Sequence, residues 1–226
     1  MSEASGLYAT KSDFAYRRVR ELILSGALEP GAVLNQAVLA REIGISTTPL
    51  REALRRLAQQ GLVELDAHRD ARVTRLDAEE ARDLLEVRLS LDPLAAALAA
   101  DRRTEQDLAE MRASLEGLEA LPRDPTVAQL VAHRRFHAAI YRASHNALLG
   151  HTLDGLWDTA DRYRRHGLEV ARSSEEGAMK SRHTLLFEAI VAGDSETAAQ
   201  VMREHVQSSL GAKSAWRLAE SAEDLT

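Results

Sequence analysis

A chain of 226 residues, 45% hydrophobic and 28% charged, can bury one large core or two modest ones, and it holds no run of about 18 apolar residues that would span a membrane. It has no cysteine, which excludes disulfides and thiolate metal sites, and its N-terminus lacks the basic-then-apolar layout of a secretory signal, so the expectation is a cytoplasmic protein. The net charge of −6 is unevenly spread: residues 1–75 hold 11 Lys+Arg against 9 Asp+Glu and residues 76–226 hold 18 against 26, which suits a nucleic-acid module joined to one that avoids nucleic acid.

Taken in order, nearly every segment reads as helix. Asp13 is positioned to cap a first helix whose Ala15, Val19, Leu22 and Ile23 keep helical spacing up to Ser25-Gly26. A short helix follows from Gln36 to Ile43 and stops at Gly44. Ser46 caps a third from Thr48 to Gln60, with Pro49 in its first turn, where a missing N–H costs nothing. LVELD (62–66) and ARVTRL (71–76) alternate around AHRD as a two-stranded hairpin. Helix, helix, tight turn, helix and hairpin make a winged helix-turn-helix. Asp77-Ala-Glu-Glu80 opens an all-helical remainder of six expected helices, 78–100, 104–121, 126–144, 147–169, 175–192 and 195–215. The expected fold class is mainly α: a winged helix-turn-helix over 1–76, an all-α six-helix bundle over 77–215 for effector binding and dimerisation, and a frayed tail over 216–226.

In such a module the second helix of the motif enters the major groove with its first residues on the base edges. Here that helix opens with Ser46, Thr47 and Thr48, small hydroxyls for phosphates or bases, and Arg51 lies one turn in, able to fork onto a guanine. His68, Arg69 and Arg72 equip the wing for phosphates or the minor groove.

The segment "VRELILSGALEPGAVLNQAVLAREIGISTTPLREALRRLAQQGLVEL" (19–65) resembles the DNA-binding domain of the GntR family of bacterial transcription regulators. The resemblance implies dimeric binding of double-stranded operator half-sites, with Arg51 and residues 46–48 in base-reading positions. Two positions depart from the family pattern: Thr47 stands where arginine is usual, and Asp70 follows Arg69 where a wing-tip glycine is usual.

The rear half carries "HRRFH" (133–137), two histidines one helical turn apart, the separation a metal asks of a helical pair. The zinc-protease motif of that spacing needs a glutamate base beside the first histidine, and Arg134 stands there instead. Helical projection puts His133 and His137 with Leu130, Ile140 and Tyr141. It puts His183 with Met179, Leu186 and Ile190, and His205 with Ala198, Val201 and Met202. Four inward histidines on three helices of one bundle point to a divalent transition metal, zinc first and nickel second. A lone inward histidine would more often be a hydrogen-bonded core residue. Arg88, on the face of Leu84, Leu91 and Ala95, is either a hand for an anionic ligand or one half of an internal ion pair. Asn146 fits a helix N-cap.

"ARDLLEVRLSLDPLAAALAA" (81–100), "FHAAIYRASHNALL" (136–149) and "HTLLFEAIVAGDSETAAQVMREHV" (183–206) resemble the FCD effector domain of the FadR branch, in its shorter, VanR-like form. The resemblance implies a metal held by one aspartate and three histidines. The histidines map to His137, His183 and His205, and the aspartate position carries His133; the resemblance also puts Asn146 at a position near the pocket, a reading its N-cap role equals. The reading is therefore a homodimeric, metal-containing regulator, a repressor that answers to a small organic acid near Arg88 and Asn146. It is not an enzyme and has no membrane partner. A purely structural metal and a metal-dependent enzyme are the alternatives.

Overall fold

The computed structural model describes residues 10–65, 70–116, 118, 126–170 and 176–223, and the chain divides into two compact units, Met1–Leu76 and Asp77–Thr226. Among the described residues no helix is long and apolar enough to cross a membrane.

The first unit runs α1 (Lys11–Leu24), β1 (Val33–Asn35), α2 (Gln36–Glu42), α3 (Thr47–Gln59), β2 (Val63–Leu65) and β3 (Asp70–Val73). Thr10, not Asp13, is the cap of α1: its Oγ1 accepts from the Asp13 N–H at 3.0 Å. Asp13 falls in the first turn, where its charge complements the orphan N–H groups. Asn35 caps α2 by accepting from the N–H groups of Ala37 and Val38. Gly44, at φ +75°, makes the left-handed turn out of α2 that a Cβ would strain, and this sets the angle of α3. Leu50, Leu54 and Leu57 keep helical spacing and bury one face of α3 against Val19 and Ile23 of α1 and Leu39 of α2. The expected hairpin gains a third strand, in the order β1-β3-β2, with both Leu34 and Leu65 opposite Ala71. A strand of three residues is too short to show alternation, which is why pattern alone missed β1.

The second unit is α4 (Ala78–Arg102), α5 (Glu105–Glu116), α6 (Val127–Ala143), α7 (Ala147–Gly155), α8 (Trp157–Val170), α9 (Glu176–Ala192), α10 (Ser195–Gln207) and α11 (Leu210–Glu223). The fold is mainly α, a winged helix-turn-helix with an all-helical bundle, as the sequence pattern implied, but two of the six expected helices are each divided. The 147–169 helix breaks at Leu156, just after Gly155, a weak helix former. The 195–215 helix ends at Gln207: the Ser208 hydroxyl donates back to the Glu204 carbonyl at 2.7 Å, and Ser209 Oγ accepts from the Ala212 N–H at 3.2 Å. Helix α11 begins inside the expected 195–215 helix, where Ala212, Ser214 and Ala215 form a buried face, and continues to Glu223 over most of the expected tail. The core interleaves Ala96 and Ala99 of α4 with Phe136 and Ile140 of α6, Leu186 and Ile190 of α9, and Met202 and Val206 of α10. Helix ends are tied by side chains: Thr126 and Gln129 form a reciprocal capping box at α6, and Arg102 and Arg103 donate to the Ser144 and Val191 carbonyls that close α6 and α9.

Candidate DNA-reading face and metal centre

At the start of α3, Ser46 takes the N-cap position but its hydroxyl makes no capping bond, and Ser46 and Thr48 are exposed, with Thr47 half-buried beside them. Arg51 is exposed, and its Nε donates to Oε1 of the buried Gln36 at 2.9 Å. Gln36, the first residue of α2, was not singled out by pattern. Its buried amide fixes the stem of Arg51 through Nε, so the terminal amino groups are not the atoms it engages. The wing departs from expectation at Arg72. Its Nη1 donates to the Gly31 carbonyl at 2.6 Å, because β3 pairs with β1 and brings the Pro30-Gly31 turn within reach. His68 and Arg69 lie outside the described residues.

In the second unit α6 contributes His133 and His137, α9 His183 and α10 His205, all of them buried. His133, His137 and His183 each offer a ligand atom, and these atoms lie within 4.8 Å of one another. His183 Nε2 is 3.3 Å from His137 Nε2. His205 is not one of that trio, but its ring stacks on His137 with centroids 5.0 Å apart and meets His183 edge-on at 4.5 Å. Burial pushes His133, His137 and His205 well below the usual imidazole range. The cations around them, Arg164 beside His133 among them, push the same way, so these rings are neutral and keep a free lone pair. Neither ring nitrogen of His133, nor Nδ1 of His137, has a hydrogen-bond partner. Orphaned buried imidazoles are costly, and their convergence fits a borderline divalent cation. No carboxylate belongs to the trio.

Around the histidines lies a set of buried ion pairs. Arg88 Nε donates to Asp92 Oδ2 at 2.9 Å, and Tyr141 donates its hydroxyl to the other oxygen of Asp92. Burial alone would lower the Arg88 pKa, but Asp92 outweighs it and the guanidinium is held more firmly charged than usual. The Tyr141 hydroxyl is pushed up by burial and by Asp92. Arg164 Nη1 pairs with Asp161 at 2.7 Å. Arg88 and Arg164 both lie over Trp157, their guanidinium carbons 5.2 and 5.1 Å from its ring centroid, and the His137 ring is 5.2 Å from the same indole. Arg134 reaches Asp158 at 3.0 Å and donates to the Asp154 carbonyl at 3.0 Å, which ties α6 to the junction of α7 and α8. Asn146 accepts from the Leu149 N–H as the N-cap of α7. Asp92, Trp157, Asp161 and Arg164 were not read from the sequence. The i, i+4 and i, i+3 spacing of the two Arg–Asp pairs was the available signal.

A winged helix-turn-helix unit followed by an all-helical unit defines a DNA-binding transcription regulator with an effector domain. The chain belongs to the GntR family, in its FCD branch. Residues 11–73 match the family model for "Bacterial regulatory proteins, gntR family" and residues 83–208 match the FCD domain. The HTH-type transcriptional regulator McbR of Escherichia coli is 30% identical over 82% of this chain and 84% of its own. A probable D-xylose utilization operon transcriptional repressor of Paenarthrobacter nicotinovorans is 31% identical over 84% and 83%. The solved structure of E. coli McbR/YncC superposes with a TM-score of 0.74 at 25% identity, covering 97% of this chain and all of that one. Domains and relatives alike are transcription regulators, not enzymes.

Proposed function

We propose that this protein is a homodimeric repressor that holds a divalent metal, zinc or nickel, at His133, His137, His183 and His205, and releases its operator when a small carboxylate binds at that metal. The observation that carries the reading is the buried histidine trio, whose ligand atoms lie within 4.8 Å of one another with no carboxylate among them. A site of imidazoles alone keeps open positions and a positive charge, which an organic acid satisfies. Without an adjacent base it has no group to activate a metal-bound water. Arg88 stands near the site, stacked on the indole that also touches His137. Base reading falls to Arg51, held by Gln36, with Ser46, Thr47 and Thr48 beside it and the wing residues His68 and Arg69 on the backbone or minor groove, while Arg72 braces the wing against Gly31. Because α6, α9 and α10 converge on the metal, a ligand there biases the bundle and with it the spacing of two DNA heads. The repressor sense follows the P. nicotinovorans relative.

The test is thermal melting of zinc-loaded protein across a panel of small mono- and dicarboxylates, repeated with a His137→Ala, His183→Ala variant, together with operator gel shifts. Stabilisation by a few acids, lost in the variant, with operator release by the same acids, supports the reading. A flat panel with a strongly destabilised variant makes the metal purely structural and sinks the effector assignment.

A further inference from the structure

We infer that the effector carries two anionic groups, one taken by the metal and the second received by a subsite made of the Trp157 indole N–H with Arg88 and Arg164. The inference rests on the metal-centred reading above and extends it from "a small acid" to a dicarboxylate or an equivalent dianion.

Charge balance comes first. The buried groups around Trp157 cancel in pairs: Arg88 with Asp92, and Arg164 with Asp161, at 2.9 and 2.7 Å. Asp92 is also bonded by Tyr141, so it is committed away from the histidines. At the margin Arg134 and Asp158 cancel too. The histidines are neutral donors. A divalent ion on them therefore brings two positive charges into a region where, among the described residues, Asp92, Asp161 and Asp158 are already paired, and a buried charge without a counter-charge is strongly disfavoured. A monocarboxylate offsets half of that charge, and a dianion offsets all of it.

Donor geometry comes second. Trp157 is buried, and its Nε1 has no hydrogen-bond partner. A buried indole N–H ordinarily finds an acceptor, and here it sits on the ring that the guanidinium groups of Arg88, Arg164 and, at 5.9 Å, Arg134 all face, with His137 beside it. Burial, with the nearby Arg88, lowers the Arg164 pKa against the opposing pull of Asp161, Tyr141 and Asp92, so an added anion beside this buried guanidinium would act in the same sense as Asp161. An anionic oxygen at the indole N–H would supply the missing acceptor and relieve the repulsion between the two arginines.

The experiment is calorimetric titration of the full-length zinc-loaded protein with matched pairs, succinate against butyrate and glutarate against valerate. A charge-assisted second contact predicts that one of the dicarboxylates binds at least about tenfold more tightly than its partner. Trp157→Phe keeps the ring and removes the donor; it should cut that preference several-fold while zinc stoichiometry stays unchanged. Arg164→Met should do the same, but it leaves Asp161 unpaired and can unfold the unit, so Trp157→Phe is the deciding variant. Equal affinity for both members of each pair overturns the two-anion inference and leaves the metal-centred effector site standing. A dicarboxylate preference undiminished in Trp157→Phe overturns the placement of the second subsite. If no acid of either kind binds, the effector reading itself fails, and this inference with it.

Discussion

Arg203 donates from Nη1 to the carbonyl oxygen of Leu89 at 3.2 Å, across from α10 to α4. That carbonyl is the one Pro93 orphans, since an N–H at position 93 would return to residue 89 in an unbroken helix. Proline inside a 25-residue helix is thus accommodated by an arginine from the neighbouring helix. The bond also joins the helix of Arg88 to the helix of His205.

This relationship predicts a coupled pair. Arg203→Ala should cost about 1 kcal/mol of stability, the usual net worth of such a hydrogen bond. In a Pro93→Ala background the new N–H satisfies Leu89, so the same substitution should cost much less. Urea unfolding of the four proteins measures the coupling, and strict additivity would show that Arg203 does nothing for the proline gap.

The buried Arg88–Asp92–Tyr141 chain predicts a larger effect. Asp92→Asn leaves a guanidinium buried against a neutral partner and should destabilise by about 3–5 kcal/mol. Tyr141→Phe removes one donor to the same carboxylate and should cost about 1–3 kcal/mol. Thermal unfolding monitored at the helical signal checks both. Equal, small losses would mean that Asp92 is satisfied by other groups.

Much of this arrangement was legible beforehand. Ser46 at the N-cap and Pro49 in the first turn gave the recognition helix, and the inward spacing of His133 and His137 gave half the cluster, because these signals lie within about one helical turn. What the pattern missed depends on contacts between elements: β1 exists only by pairing with β3, Gln36 matters only because α3 brings Arg51 to it, and Trp157 becomes a hub only when α4, α6 and α8 meet. The expected helix to 215 includes the buried Ala212, Ser214 and Ala215, but the stretch beyond it, which continues α11 to Glu223, looked like a tail because Trp216 is exposed and the residues after it are mostly small or charged. Arg72 looked available on a charged hairpin, and the carbonyl that takes it lies 41 residues away in sequence.

Acid sensitivity follows from Asp107. Burial alone would raise its pKa, but the backbone and side chain of Thr104 and the ring of His145 outweigh it and hold the carboxyl below its usual 3.8. His145 sits at φ +47°, an uncommon conformation for a side-chain-bearing residue, and its contact with Asp107 helps to keep it there. A depressed carboxylate contributes fully above its unfolded value, and that contribution drains away as pH falls through the lower folded value. Asp107→Asn should therefore be less stable than the parent near neutrality, and the gap should narrow as the pH drops below about 4. Melting curves across that range decide it; a gap that stays constant removes Asp107 from the acid response.

On DNA, Arg51→Ala should cost roughly 1–3 kcal/mol of specific binding and relax discrimination at one base pair. Gln36→Ala should weaken the same discrimination by less, because it frees the arginine without deleting it. Thr47→Arg, which restores the usual family residue, should add a base contact and shift operator preference. Gel shifts against a randomised half-site measure all three. Arg51→Ala binding its operator as tightly as the parent would displace α3 as the reading helix.

Metal removal separates the two units. The histidines that meet at the cluster come from α6, α9 and α10, so a bound ion ties together three helices of the second unit and none of the first. Binding to the folded state alone stabilises by mass action, about 2.7 kcal/mol at free metal one hundred times the dissociation constant. Chelation should therefore lower the melting temperature of the second unit, leave the helix-turn-helix transition in place, and be reversed by zinc. His133 decides how far this site differs from one with an acid in it. With three neutral imidazoles in the trio and no carboxylate, His133→Asp should retain metal while shedding one positive charge, and so should weaken binding of any anionic effector. Comparing zinc retention and acid-induced melting shifts in the parent and in His133→Asp tests this. Tighter acid binding in the aspartate variant would show that anion affinity does not arise from the charge of the imidazole-held metal.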